Sequence, residues 1–128
     1  MKTYTMRKRI NVPTLDRNRT FMKVPFYECL VNGFPLVSRT VDPKADQKGQ
    51  GRAFAWGYRG KYPINLAISI LCDFLEIENI EVFLNPANGY KFALDKFYED
   101  YIIDNKSNSW EIGENELLVY LRSITDEM

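Results

Sequence analysis

The chain has 128 residues, 45% hydrophobic and 27% charged, the proportions of a single globular domain with a core of its own. Its aromatic content of 14% excludes a disordered chain. The longest apolar segment, Ile64 to Leu75, is too short to span a bilayer, which takes roughly 20 residues. Formal net charge is zero and there is no histidine, so Ser-His-Asp and Cys-His chemistry are excluded and the usual general base is missing. The two cysteines, Cys29 and Cys72, fall short of a structural zinc set and read as buried free thiols of a reducing compartment. The expectation is no metal, no cofactor and no membrane. The start, MKTYTMRKRI, lacks the apolar run of a signal peptide, so a cytoplasmic location is expected.

The first 25 residues carry Lys2, Arg7, Lys8, Arg9, Arg17, Arg19 and Lys23 against Asp16 alone. Thr3 to Ile10 reads as a strand and the rest as an extended arm. This divides the chain into a basic extension, 1–25, and a single α+β domain, 26–128. In PFYECLVNGFPLVSRTV, Tyr27, Cys29 and Val31 alternate with Glu28 and Leu30. Asn32-Gly33 then marks a hairpin turn, because both turn residues must take positive φ, and Phe34 to Val41 forms the returning strand. Residues 42–52 are a polar loop, and AFAWGY, 53–58, reads as another short strand. Pro63 suits the first residue of a helix, where its missing N–H is not needed. Ile64, Ala67, Ile68, Leu71, Cys72 and Leu75 follow at helical spacing, with Leu66, Ile70 and Phe74 beside them, which predicts a central, mostly buried helix. Tyr90 to Tyr101 gives a second amphipathic helix. Trp110 to Ile112 reads as a late strand and Glu116 to Ile124 as a short third helix. Strands first and helices after, with one late strand, predict an α+β fold: a small antiparallel sheet packed on two to three helices.

The stretch Phe54-Ala55-Trp56-Gly57-Tyr58, followed by Gly60-Lys61-Tyr62-Pro63 and a Leu/Ala helix, resembles the family called domain of unknown function 6166, small proteins of bacteria and their phages. Lys91-Phe92 or Lys96-Phe97, Trp110-Glu111-Ile112 and Leu117 to Ile124 resemble its later elements. The likeness spans residues 26 to 124. It departs at Lys61 and Tyr62, where the family has small residues, and at 11–25, which resemble an insertion. The resemblance implies an α+β fold and a phage or mobile-element origin in a bacterial host cell, with no established activity.

Two groups of candidate site residues emerge. Trp56, Tyr58, Arg59, Lys61 and Tyr62 surround a predicted helix start, where free N–H groups, two cations and aromatic faces suit a phosphate, a base or a protein partner. The bland alternative is a structural corner, with Trp56 in the core. Arg7, Lys8, Arg9, Arg17 and Arg19 suit a phosphate backbone, or an extension that docks on acidic surface. Charge is split along the chain: residues 1–61 have a net +9 and residues 62–128 a net −9. This implies either a polyanionic partner or halves that compensate each other. The carboxylate pairs Glu76/Glu78 and Glu99/Asp100 read as solvated charge, and Asp42-Pro-Lys44-Ala-Asp46 as a polar loop. The leading expectation is a non-enzymatic protein that binds a protein partner, such as a host-defence inhibitor or a minor virion component. The alternatives are a nucleic-acid or nucleotide binder using the arm and the Trp56–Pro63 junction, and a small hydrolase or nuclease.

Overall fold

In the computed structural model the backbone is described for residues 1–15, 21–39 and 54–126, and side chains for 1–9, 26–39 and 54–126. Strand β1 (Thr3–Leu15) pairs antiparallel with β2 (Phe21–Val31), which pairs with β3 (Phe34–Pro35). Helix α1 (Lys61–Leu75), a 3-10 turn (Ile80–Phe83) and α2 (Gly89–Phe97) follow, and α2 runs into a π turn (Tyr98–Ile102). Strand β4 (Ser109–Gly113) and α3 (Glu114–Thr125) end the described chain. The sheet order is β3-β2-β1-β4, antiparallel throughout. The expected α+β fold is therefore the observed one.

The period of two decides which face is buried. Tyr4 and Met6 of β1, Cys29 of β2 and Ile112 of β4 point to the core, and Thr5, Arg7 and Arg9 point away. Register aligns Met6 with Cys29 on one side and Trp110 on the other. Asn32 and Gly33 take φ of +50° and +84°, the turn that two-residue hairpins favour. The Asn32 Oδ1 also accepts the Thr3 N–H at 2.9 Å.

Three sequence expectations are corrected. The strand expected over Thr3 to Ile10 forms, but it runs on to Leu15 between β2 and β4 where an extended arm was expected, and the boundary drawn at residue 25 falls inside β2. The strand expected over Phe34 to Val41 ends at Pro35. After one further bond, Leu36 N–H to Cys29 O, the chain leaves the sheet and Arg39 exchanges two hydrogen bonds with the Ser69 hydroxyl of α1. The strand expected over 53–58 does not form over 54–58, the part of it that is described. Phe54, Ala55 and Trp56 are buried in succession and in no ladder, whereas a half-buried strand would alternate. Residues 42–52, including Asp42, Lys44 and Asp46, lie outside the described residues.

Helix α1 is the centre of the core. Every residue from Asn65 to Cys72 is buried, the polar Asn65 and Ser69 included, and the Ser69 hydroxyl is covered by its two bonds to Arg39. Its C-terminus turns at Glu76, whose φ of +55° is left-handed. The N–H groups of Glu76 and Ile77 both reach Cys72 O. The 3-10 turn is capped by Asn79 and buries Phe83 completely, a core contribution with no periodic signal around it. Asn88 caps α2 through Tyr90 N–H at 2.7 Å.

Pro25 explains an irregularity in the β1–β2 pairing. Arg9 pairs with Phe26 and Val12 with Val24, so two residues of β1 oppose Pro25 alone. A residue without an N–H belongs at such a bulge.

Two stability tests follow from these contacts. Glu76→Gly relieves the left-handed strain, about 1–2 kcal/mol, against a glycine entropy loss of about 0.5–1 kcal/mol. Denaturant unfolding is expected to show a gain of about 0.5–1 kcal/mol.

The second test concerns Tyr4, which is fully buried; its hydroxyl donates to Asp73 Oδ2 at 2.6 Å, where Lys2 Nζ also binds at 3.1 Å. Burial, then the Asp73 bond and charge, then Glu114, push the phenol well above its ordinary value of 10.0. A raised pKa supports the fold below the unfolded value and loses that support as pH rises. Burial raises Cys29 and Cys72 above 9.0 in the same sense. Stability is therefore expected to fall from about pH 9 upward. Tyr4→Phe should cost about 1.5 kcal/mol at pH 7 and make the alkaline fall shallower in unfolding titrations from neutral to alkaline pH.

Candidate functional site

The segment between residue 54 and the start of α1 is held by residues 98–107. Trp56 is 3% exposed, and its Nε1–H donates to Ser107 O at 2.7 Å. Its ring meets Tyr27 of β2 edge-on at 4.8 Å and Trp110 of β4 at 6.0 Å. Gly57 N–H donates to Ile102 O at 2.8 Å, and Gly57 O accepts from Lys106 Nζ at 2.7 Å. Gly57 needs its φ of +93°, and a Cβ there would stand 3.0 Å from Asn105 O. Gly60 N–H donates to the Tyr98 hydroxyl at 3.0 Å. Trp56 is therefore a core residue, unavailable to a partner.

The residues that follow Trp56 are different. Tyr58 is 46% exposed, Arg59 and Lys61 are exposed, and Tyr62 is half-buried. Lys61 Nζ lies 5.2 Å from the Tyr62 ring centre. Burial raises the Tyr58 hydroxyl above its ordinary value, with smaller contributions from Tyr27, Tyr62 and Tyr98. Tyr58 is thus a neutral hydroxyl in a group of four tyrosines.

The structure brings one residue of the basic group to this place. Lys8 Nζ sits 5.4 Å from the Tyr27 ring centre, and its N–H donates to Asn108 O at 2.6 Å. Alternation sends Arg7 and Arg9 to the opposite face of β1. Both are exposed, and Arg9 approaches Glu28 at 3.7 Å. Arg17 and Arg19 lie outside the described residues. Tyr27 is the residue that sequence reasoning missed. Its alternation with Glu28 marked it as a core position, and only the register with Lys8 shows its place beside a cation.

The carboxylate pairs do not converge. Glu76, Glu78, Glu99 and Asp100 are all exposed, and Asp100 accepts the Tyr120 hydroxyl at 2.6 Å. Among the described residues no three Cys, Asp or Glu side chains gather as a metal set, and no helix is long and apolar enough to cross a membrane. Of the ion pairs Lys2–Asp73, Arg9–Glu28 and Lys91–Asp95 among the described residues, the first joins the basic half to the acidic half. No family model matches the chain, and no curated protein or solved structure matches it.

Two substitutions separate mount from surface. Trp56→Ala empties a core position and should cost about 3–5 kcal/mol. Gly57→Ala should cost more than about 1 kcal/mol, because alanine does not tolerate that φ. Tyr58→Ala should change stability far less than either. Thermal and denaturant unfolding of the three variants checks the order.

Proposed function

We propose that this protein is a non-catalytic interaction module that binds a protein partner through Tyr27, Tyr58, Arg59, Lys61 and Tyr62. The observation that carries this reading is an exposed Tyr58 on a fixed backbone, with Gly57 bonded at both N–H and C=O and Gly60 tied to Tyr98. Tyrosine and arginine are the residues that anchor protein interfaces. A tyrosine has only two side-chain torsions to freeze, so it binds at small entropic cost. The cations on this surface are few and two of them lean on tyrosine rings, which suits a partner with acidic and aromatic groups. The resemblance at Trp56 to Pro63 adds the context of a phage or mobile element acting in the bacterial cytoplasm. A host-defence enzyme or a virion protein is the kind of partner that context offers.

The test is capture from host lysate with tagged protein, with and without nuclease, compared with the triple variant Tyr58→Ala, Arg59→Ala, Lys61→Ala. One stoichiometric protein is expected to survive nuclease on the native protein and to be lost from the variant, whose unfolding midpoint stays close to native. Retention by the variant, or turnover of a substrate by the native protein, overturns the reading.

A further inference from the structure

Helix α3 carries more apolar surface than the core takes up. Leu117 and Ile124 are its buried positions. Leu118 and Leu121, followed by Thr125, form a second stripe at i, i+3 and i+7, the spacing of one helix face. Leu118 is 37% exposed, Leu121 is half-buried and Thr125 is exposed. Across from this stripe α1 leaves the core: Asn65 to Cys72 are buried, and Phe74 and Leu75 are half-buried. Two open hollows lie between these elements. One, of about 380 Å³, is walled by Phe74, Leu75, Leu118, Leu121 and the last turn of α3. The other, of about 350 Å³, runs from Leu75 and Leu121 to Tyr90 and Ala93 of α2. They share Leu75, Leu121 and Thr125, so they make one apolar trough along α3, with α1 and α2 as its other walls. The stripe from Leu118 to Thr125 covers about two helical turns, or roughly 10 Å. An amphipathic helix that lays its apolar face in a groove of this kind is a recurrent form of recognition.

Charge at the mouth of the trough selects the kind of helix. The C-termini of α1 and α3 both end there, since Leu75 and Thr125 line the same hollow. A helix C-terminus carries a partial negative charge that favours a cation. Arg122 supplies one in the last turn of α3, and α1 has none in its last turn. Glu76 and Glu78 lie just beyond Leu75, Asp126 is on the lining, and all three are exposed. On the neighbouring turns Asp73 and Asp95 are already paired with Lys2 and Lys91. Among the described residues the mouth is therefore acidic, with Glu76, Glu78 and Asp126 against Arg122. Such a mouth repels nucleic acid, an anionic lipid surface and a fatty-acid carboxylate, and attracts a cationic amphipathic segment.

We propose that the α1–α2–α3 trough docks a basic amphipathic helix of a protein partner. Its apolar stripe lies against Leu75, Leu118 and Leu121, and its Lys or Arg side chains meet Glu76, Glu78 and Asp126. This surface shares no residue with the tyrosine surface and does not depend on it.

The probe is a fluorescein-labelled peptide of about 15 residues, long enough to form helix, with Leu at i, i+3, i+4 and i+7 spacing and Lys elsewhere. Anisotropy gives its affinity, and amide chemical shifts of isotopically labelled protein locate it. Binding is expected, with shifts concentrated at 74–78, 89–93 and 118–126. A scrambled peptide of the same composition, which has no apolar face, should bind at least about tenfold more weakly, and so should the same helix with Glu in place of Lys. Thr125→Arg puts bulk and a like charge in the trough, at an exposed helix end where a cation suits the fold. Affinity should fall at least about tenfold while the unfolding midpoint is kept. Glu76→Gln, Glu78→Gln and Asp126→Asn together should weaken binding about tenfold and reduce its salt dependence. Tyr58→Ala with Arg59→Ala should leave the affinity unchanged. No binding at about 1 mM protein, equal binding of either control peptide, or unchanged affinity in Thr125→Arg or in the neutralised variant each overturns the proposal. Loss of binding in the Tyr58/Arg59 variant, or shifts centred on the tyrosine surface or on Glu99 and Asp100, overturns the trough as the site. A dimer of the protein alone in sedimentation that Thr125→Arg dissociates also overturns it, since a second copy is then the occupant.

Discussion

The indole of Trp56 is the wedge on which the two layers meet. It touches β2 through Tyr27, β4 through Trp110 and the segment after the π turn through Ser107 O. Sheet and helices are also joined through the shared core of Met6, Cys29 and Ile112 with α1 and, at the far end, through Tyr4, Lys2 and Asp73. Without Trp56 the 54–60 segment would lose its anchor, and α1 would start from a loose corner. Its edge-on contacts place ring edges against ring faces, the arrangement that aromatic pairs favour. Everything exposed on the tyrosine surface is positioned by what this one buried ring fixes.

The π turn is the second half of that arrangement. Ile102 O receives Gly57 N–H, and the Tyr98 hydroxyl receives Gly60 N–H. Both acceptors come from one wide turn at the end of α2, where i to i+5 bonding is seen at Ile103 N–H to Tyr98 O. Such turns concentrate at functional places in helices. Here the turn supplies the acceptors for a segment that belongs to no ladder of its own.

How much of this was legible in the sequence depends on whether the signal was local. Asn32-Gly33, the stripes of Ile64 to Leu75 and the alternation around Cys29 each specify their own geometry, and each element formed. The late strand at Trp110 and the last helix followed from the same short-range patterns. The failures are tertiary. A run of basic residues gives no sign that its alternate positions, Tyr4 and Met6, are fully buried. Phe54 to Trp56 have strand propensity but are enclosed on all sides, so burial took the place of pairing. Phe83 sits in a short apolar run, Ile80 to Leu84, that has no helical or strand period to mark it. Of the candidate site, Tyr58, Arg59 and Lys61 were legible as exposed neighbours of a helix start. Trp56 reads the same way in sequence, and only its three-dimensional contacts remove it. Lys8 joined the tyrosines and left Arg7 and Arg9 behind because a strand reverses its face at every residue.

The prolines of the sheet carry a consequence for self-association. Among the described residues, Pro13, Pro25 and Pro35 each occupy a strand that has no neighbouring strand on one flank at that point. A bare flank is a template on which another chain can add a strand. A proline there withholds one donor from any incoming strand, and the two-residue length of β3 limits the template on its side. The β1–β2 pair, which continues to Leu15 and Phe21 with no third strand among the described residues, is therefore guarded against strand addition by a second copy.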